Sequence, residues 1–175
     1  DQNLFATYIP SFGVEQRGAP SIAYVIISSE EIFYPRFEIA VIAVILSERS
    51  IKKIVDNLSV NTKVIFDSSI IDYKLLKQFR HTLFGTPATK IANEKYHTKS
   101  YNITIFGALT KLLHIDEDKG WDAILKLLSH KFSNKDILKL NLDAFGYGRN
   151  LVFEKDEFSE ASYKQDTRII INKSI

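Results

Sequence analysis

IAVIAVIL, Ile39–Leu46, is eight consecutive apolar residues without alternation. A strand with one face in water alternates apolar and polar side chains. An unbroken run is the mark of a strand covered on both faces, as in a parallel sheet packed between helices. The flanks agree. Ser47 is placed to cap a following helix over Glu48–Leu58, where Ile51, Ile54, Val55 and Leu58 recur at helical spacing. Lys63–Phe66 (KVIF) then reads as a second buried strand that ends at Asp67. Strand, helix, strand with apolar strands predicts an α/β fold: an open, mainly parallel sheet with helices on both faces.

Upstream, Leu4–Ile9 (LFATYI) and Ser21–Ser28 (SIAYVIIS) are two further β-rich runs, expected in or beside the same sheet. Downstream the character changes and the C-terminal half reads as helical. A short extended piece at Leu83–Thr86 stops at Pro87. Helical spacing follows over Ala88–Tyr96 and Asn102–His114, and over Glu117–His130 with Asp116 as its cap. A last helix starts at Asn134 and runs through Phe145, with Gly146 and Gly148 expected to end or interrupt it. Beyond Asn150 the chain is charged and only weakly alternating. The expected organisation is one domain over 1–150 and a C-terminal extension over 151–175 that needs a partner to be ordered.

The 175 residues carry a net charge of +2, too little and too evenly spread for a nucleic-acid surface. No apolar run approaches the roughly 20 residues that span a bilayer, and no basic-then-apolar leader opens the chain. The expectation is a soluble, cytoplasmic protein with no membrane or nucleic-acid partner. There is no cysteine, so this chain offers no disulfide, thiolate nucleophile or iron–sulfur ligand. Methionine is absent as well, where roughly 2% usage would give about four. A fragment, a processed product and a redesigned sequence all fit that absence.

Complete catalytic motifs are missing: there is no P-loop, no GxGxxG and no Ser-centred elbow. His81, His97, His114 and His130 lack the spacing of a metal-binding helix and read as surface or helix-end residues. Asp67 stands at the carboxyl end of a central strand, where open α/β sheets gather ligands, or else closes a turn. Asn102 either presents its amide or caps a helix. The strongest candidate is PSFGVEQRGAP, Pro10–Pro20, which sets Glu15 and Arg17 between Gly13 and Gly18. Eleven residues exceed what an ordinary hairpin turn needs. Glycines admit a ligand close to the main chain, and an arginine offers an anion a two-pronged fork. A crossover loop stiffened by prolines is the alternative.

The stretch Tyr8–Ser28, YIPSFGVEQRGAPSIAYVIIS, resembles the signature of the gamma subunit or domain of 2-oxoacid:ferredoxin oxidoreductases. That family has an aromatic-x-Pro-Ser-Tyr/Phe-Gly-x-Glu-x-Arg-Gly-Gly/Ala loop before a strand. FGTPATKIANE (Phe84–Glu94), YNITIFGAL (Tyr101–Leu109) and NLDAFGYG (Asn141–Gly148) are similar to later family segments, in the family's order. Two features depart from it. The turn at Ser28–Ile32 lacks the usual proline, and the family's Gly-x-Gly-Gly-Gln-Gly turn, normally some 30 residues upstream, is not in this sequence. The Arg17-Gly18-Ala19-Pro20 form resembles pyruvate enzymes more than 2-oxoglutarate enzymes.

The resemblance implies oxidative decarboxylation of a 2-oxoacid with thiamine diphosphate, the acyl group passing to coenzyme A and electrons to ferredoxin. It places thiamine diphosphate, Mg2+ and iron–sulfur clusters on alpha-, beta- and delta-type partner subunits. The gamma component would bind none of them alone and carry no catalytic residue or metal. Its part would be to assist the active site and coenzyme A binding, and it would be inactive by itself. Ser11, Gly13, Glu15, Arg17 and Gly18 would form the loop facing substrate or coenzyme A, with Asp67 and Asn102 as additional contacts. The rival reading is a free-standing α/β module that binds a small anionic ligand or a partner protein.

Overall fold

The computed structural model describes residues 4–11, 20–77, 82–128, 135–151 and 166–174. These divide into two compact units, Asp1–Gly85 with Ser159–Ile175, and Thr86–Phe158.

The first unit is built on a mixed sheet. Its strands are β1 (Phe5–Ser11), β2 (Pro20–Ser28), β3 (Ile42–Ile45), β4 (Lys63–Asp67), β5 (Thr82–Thr86) and β6 (Asp166–Ser174), ordered β1-β2-β6-β3-β4-β5. β2 runs antiparallel to both β1 and β6, while β3 is parallel to β6 and β4. Four strands, β1, β6, β3 and β4, therefore point the same way and β2 opposes them. The sheet is open, and it is mostly parallel in strand direction, as the sequence predicts. All four residues of β3 are buried, so the unalternating run does mark a strand covered on both faces. Ala43 and Ile45 join Ile22, Ile26, Val64, Phe66 and Ile170 in one core. Ile42 and Val44, on the opposite face, are as completely buried.

Two local expectations change. The helix expected over Glu48–Leu58 is broken into a 3-10 turn (Glu48–Ser50), α1 (Ile51–Ile54) and a second 3-10 turn (Val55–Asn57). The Ser47 side chain makes no capping bond to the first of these turns. Tertiary bonds outcompete the helix at its far end: Asn57 Nδ2 donates to Glu38 O at 2.7 Å, and Ala40 N donates to Asn57 O at 2.8 Å. α1 still sends Ile51 and Ile54 into the core. The second change concerns the tail. Asp166–Ser174, set apart in sequence as part of an extension seeking a partner, is β6, inside the sheet between β2 and β3. Its partner is the chain's own sheet. Ile169 and Ile170 are buried there on opposite faces.

A short α2 (Lys74–Lys77) completes the first unit. The second unit holds α3 (Ala88–Lys95), α4 (Tyr101–Leu112), α5 (Glu117–Leu128) and α6 (Lys135–Asn150). α6 passes through Gly146 and Gly148 without a break, contrary to the expectation that they end it. Gly148 has a packing role. A Cβ placed on it would overlap Thr104 O and stand 2.8 Å from the Thr104 carbonyl carbon. Reciprocally, a Cβ on Gly107 would overlap Phe145 O and stand 3.1 Å from Arg149 N. Each helix thus presents a glycine to the other's backbone where α4 and α6 meet. Phe145, Ile124 and Leu128 form the core beside them.

Arg149 ties three segments of this unit together. Its Nη1 donates to Ile115 O at 2.8 Å and to Thr110 Oγ1 at 3.1 Å, and its Nε lies 3.8 Å from Glu117 Oε2.

Candidate functional site

The chain leaves β1 at Ser11, an exposed residue, and re-enters the sheet at Pro20. Gly13, Glu15, Arg17 and Gly18 lie outside the described residues. Their attachment is defined all the same. β1 runs in the direction of β3 and β4, so Ser11 and Asp67 both stand at the carboxyl edge of the sheet, where ligand crevices of α/β folds form. They are not neighbours. β2, β6 and β3 intervene, and four strand spacings amount to roughly 19 Å.

Asp67 is completely buried at the end of β4. Its Oδ1 accepts hydrogen bonds from Ser69 N at 3.0 Å and from the Ser69 hydroxyl, while its main-chain oxygen accepts from Ile70 N and Ile71 N. This is a self-capped turn, so the turn-closing role weighed in the sequence is filled. Gly85 packs beside it: a Cβ there would stand 3.1 Å from both Phe66 Cζ and Ser68 Cβ.

Asn102 belongs to the helical unit. It is the exposed second residue of α4, and its Oδ1 accepts from Ile103 N at 3.0 Å. It borders a cavity of about 480 Å³ lined also by His97, Lys99, Ser100, Ile103 and Asn141, with Leu128, Ile137 and Leu140 as apolar wall. His97 caps the 3-10 turn Thr98–Ser100 that leads into α4, its Nδ1 accepting from Lys99 N at 3.1 Å. The buried Ser100 hydroxyl donates to Asn141 Oδ1 at 3.4 Å, and Asn141 Nδ2 donates to Ile137 O at 2.8 Å. A lining that combines a cation, an imidazole and amides with aliphatic side chains suits a small anion with an apolar body. The sequence reads His97 as a surface or helix-end residue and gives no role to Lys99, Ser100 or Asn141, because the 97–103 stretch meets Leu128 and Asn141 only in the fold. The available signal was the His97-Thr98-Lys99-Ser100 run before an apolar helix.

Among the described residues, no group of three or more His, Asp or Glu side chains is placed to hold a metal ion. Among them, too, no helix is long and apolar enough to cross a membrane. Tyr96 is the one described side chain with a resolved pKa displacement, above its ordinary 10.0; burial raises it most, then the Asp143 carboxylate, then Tyr147.

Residues 2–151 match the family described as pyruvate ferredoxin/flavodoxin oxidoreductase. The chain is 30% identical over 156 residues to 2-oxoglutarate synthase subunit KorC of Methanothermobacter marburgensis, covering 86% of this chain and 82% of that protein. It is 28% identical over 139 residues to ketoisovalerate oxidoreductase subunit VorA of the same organism, covering 78% of this chain but only 28% of VorA. Among solved structures, the fold is similar to 2-oxoglutarate:ferredoxin oxidoreductase from Magnetococcus marinus, with a TM-score of 0.70 and 21% identity. That match covers 89% of this chain and 27% of the longer solved chain. The pyruvate type implied by Arg17-Gly18-Ala19-Pro20 has no counterpart in the names of these three. The family match over most of the chain and the KorC relative together establish that this chain belongs to the pyruvate ferredoxin/flavodoxin oxidoreductase family, as an oxidoreductase component.

Proposed function

We propose that the chain is the gamma component of a 2-oxoacid:ferredoxin oxidoreductase, which assists the active site without carrying the redox groups. The observation that supports this most is the KorC match, which spans most of both chains and so describes a subunit of comparable extent. With no cysteine in its 175 residues, the chain has no thiolate to give an iron–sulfur cluster, which supports assigning the clusters to partner subunits. Thiamine diphosphate with Mg2+, also on a partner, would supply the decarboxylation chemistry.

This chain's own contribution is the Pro10–Pro20 loop. In this reading Arg17 offers positive charge to the anionic substrate or coenzyme A, Glu15 orients Arg17, and Ser11, Gly13 and Gly18 shape the approach. The loop works by positioning its ligand and keeping water from it. As to substrate, the names of KorC and of the solved relative favour 2-oxoglutarate. The Arg17-Gly18-Ala19-Pro20 sequence favours pyruvate. A branched 2-oxoacid is the third class, after VorA. The assembled enzyme should be assayed for coenzyme A-dependent reduction of a viologen dye with each of the three acids. A preference for any one of them supports the oxidoreductase reading and names the substrate, whereas no turnover with any 2-oxoacid would overturn it.

A second reading rests on the cavity beside Asn102, whose Lys99 and His97 suit a small anion. Under that reading the isolated chain would bind an anionic ligand unaided.

A further inference from the structure

The carboxyl edge of the sheet carries the loop anchors, and the amino edge carries a different feature. The β1–β2 register pairs Phe5 with Ser28, and Ile42 of β3 stands beside Lys63 of β4. The start of β1, the segment after β2, and the residues before β3 and β4 therefore share the amino edge. Large apolar side chains are exposed at the start of β1 and in the connections that meet this edge: Leu4 and Phe5 (48%) at β1, Phe33 (88%), Tyr34 (72%) and Ile39 between β2 and β3, and Val60 before β4. The strands concerned, β1 to β4, lie four strand spacings apart, roughly 19 Å.

Phe33 and Tyr34 are held outward by their neighbours. Ile32 packs against the core, and Phe37 is buried there with its ring 5.4 Å from Tyr24 in an edge-on contact. Glu30 N donates to Ser28 Oγ where the segment begins, and Asn57 and Thr62 donate to Glu38 O and Ala40 O where it ends. Pro35 stiffens the span between these anchors, and Arg36 beside it is exposed. Aromatic residues and arginine are the residue types that dominate protein interfaces. At about 200 Å² per aromatic side chain, Phe5, Phe33 and Tyr34 alone expose roughly 400 Å², half of one partner's share of a standard interface. Apolar exposure of this order often marks a functional surface.

The relatives indicate what covers it. This domain accounts for most of KorC but for 28% of VorA, where nearly three quarters of the polypeptide lies outside the match. The same domain thus occurs nearly alone and joined to a much larger partner. A separate domain must hold that partner through its surface instead of through a peptide bond.

We propose that the amino edge of the sheet, centred on Phe33 and Tyr34, is the surface on which this domain docks to the larger oxidoreductase polypeptide, the equivalent of what VorA carries outside the match. The inference rests on the oxidoreductase reading above. The test is to co-express the chain with its oxidoreductase subunits and compare wild type, a Phe33→Ser/Tyr34→Ser double variant, and Leu127→Ser. Leu127 is an equally apolar and 61% exposed residue of α5 in the helical unit, and serves as the control. The double variant should melt like wild type when isolated, yet bind the remaining subunits at least tenfold more weakly, while Leu127→Ser assembles normally. Normal assembly of the double variant into an active enzyme would overturn the docking surface and leave the oxidoreductase reading standing. Three other results would also overturn it. One is protection of Phe33 and Tyr34 from labelling in the isolated chain, which means the chain covers them itself. Another is a double variant that only converts a dimer of this chain to monomers. The last is a wild-type chain that joins no 2-oxoacid-oxidising subunit, and in that case both readings fail together.

Discussion

Gly146 and Gly148 lie one residue apart on α6, yet alanine at the two positions should change stability in opposite directions. An alanine in a helix interior is favoured over glycine by about 0.8–1 kcal/mol. At Gly146 nothing among the described residues opposes that gain, because there an added Cβ would meet only Glu117 Oε1 at 3.9 Å. Gly146→Ala should therefore stabilise by about 0.5–1 kcal/mol, or roughly 2–3 °C in Tm for a chain of this size. At Gly148 the added carbon would overlap the carbonyl of Thr104. The obstructing atoms are backbone, so no side chain can swing aside, and α4 and α6 must separate by roughly 1 Å or more. Overpacking typically costs 1–3 kcal/mol. With Gly107 meeting Phe145 at the same crossing, we expect a net loss of about 2–3 kcal/mol, or roughly 6–10 °C. Thermal unfolding followed by the fluorescence of Trp121, the single tryptophan, reads the helical unit directly. If both alanines stabilise, or both destabilise alike, the close crossing of α4 on α6 is wrong.

Arg149→Ala should destabilise the helical unit by roughly 2–3 kcal/mol, since it strands Ile115 O and takes away the donor to Thr110 Oγ1, whose hydroxyl keeps its own bond to Gly107 O; Arg149→Lys should recover less than half of this in urea unfolding, because an ammonium cannot reproduce the guanidinium geometry. Tyr96 ionises above 10.0 in the folded chain, so the unfolded chain loses its phenol proton first. Its contribution to stability is present below pH 10 and is lost as pH rises through the folded value; Tyr96→Phe should flatten that alkaline decline in urea midpoints measured against pH. Arg17→Ala should leave the isolated chain within about 0.5 kcal/mol of wild type, but weaken coenzyme A affinity or turnover of the assembled enzyme tenfold or more, as for a lost charge-assisted contact. An unfolded Arg17→Ala chain, or an assembled variant enzyme of normal turnover, would make Arg17 a structural brace.

The sheet was legible wherever burial on both faces left a long apolar run. Ile39–Leu46 and Lys63–Phe66 announce β3 and β4 because a doubly covered strand is apolar at nearly every position, with Lys63 and Asp67 only at the ends of β4. β6 follows the same rule with only Ile169, Ile170 and Ile171 between charged and polar flanks, and so short a run carries little periodic signal. The pieces around α1 deviated because bonds from Asn57 to residues 38 and 40, far off in sequence, outcompeted local helical spacing. Gly148 was misread because a glycine that ends a helix and one that admits a neighbouring backbone look identical until the second helix is in place. The candidate site shows the same division. The Pro10–Pro20 loop is a contiguous motif and stands out, whereas the cavity around Asn102 joins the His97–Ile103 stretch to Leu128 of α5 and to Ile137, Leu140 and Asn141 of α6, and no short sequence window contains them together.

The most direct measurement of the central claim is an omission and add-back experiment on the assembled enzyme. The remaining oxidoreductase subunits are assayed for 2-oxoacid- and coenzyme A-dependent reduction of ferredoxin, without this chain and then with it restored. The account predicts little or no turnover without the chain, recovery in proportion to the chain added, and no turnover by the chain alone. Undiminished ferredoxin reduction by the remaining subunits, or reduction by this chain on its own, would contradict it.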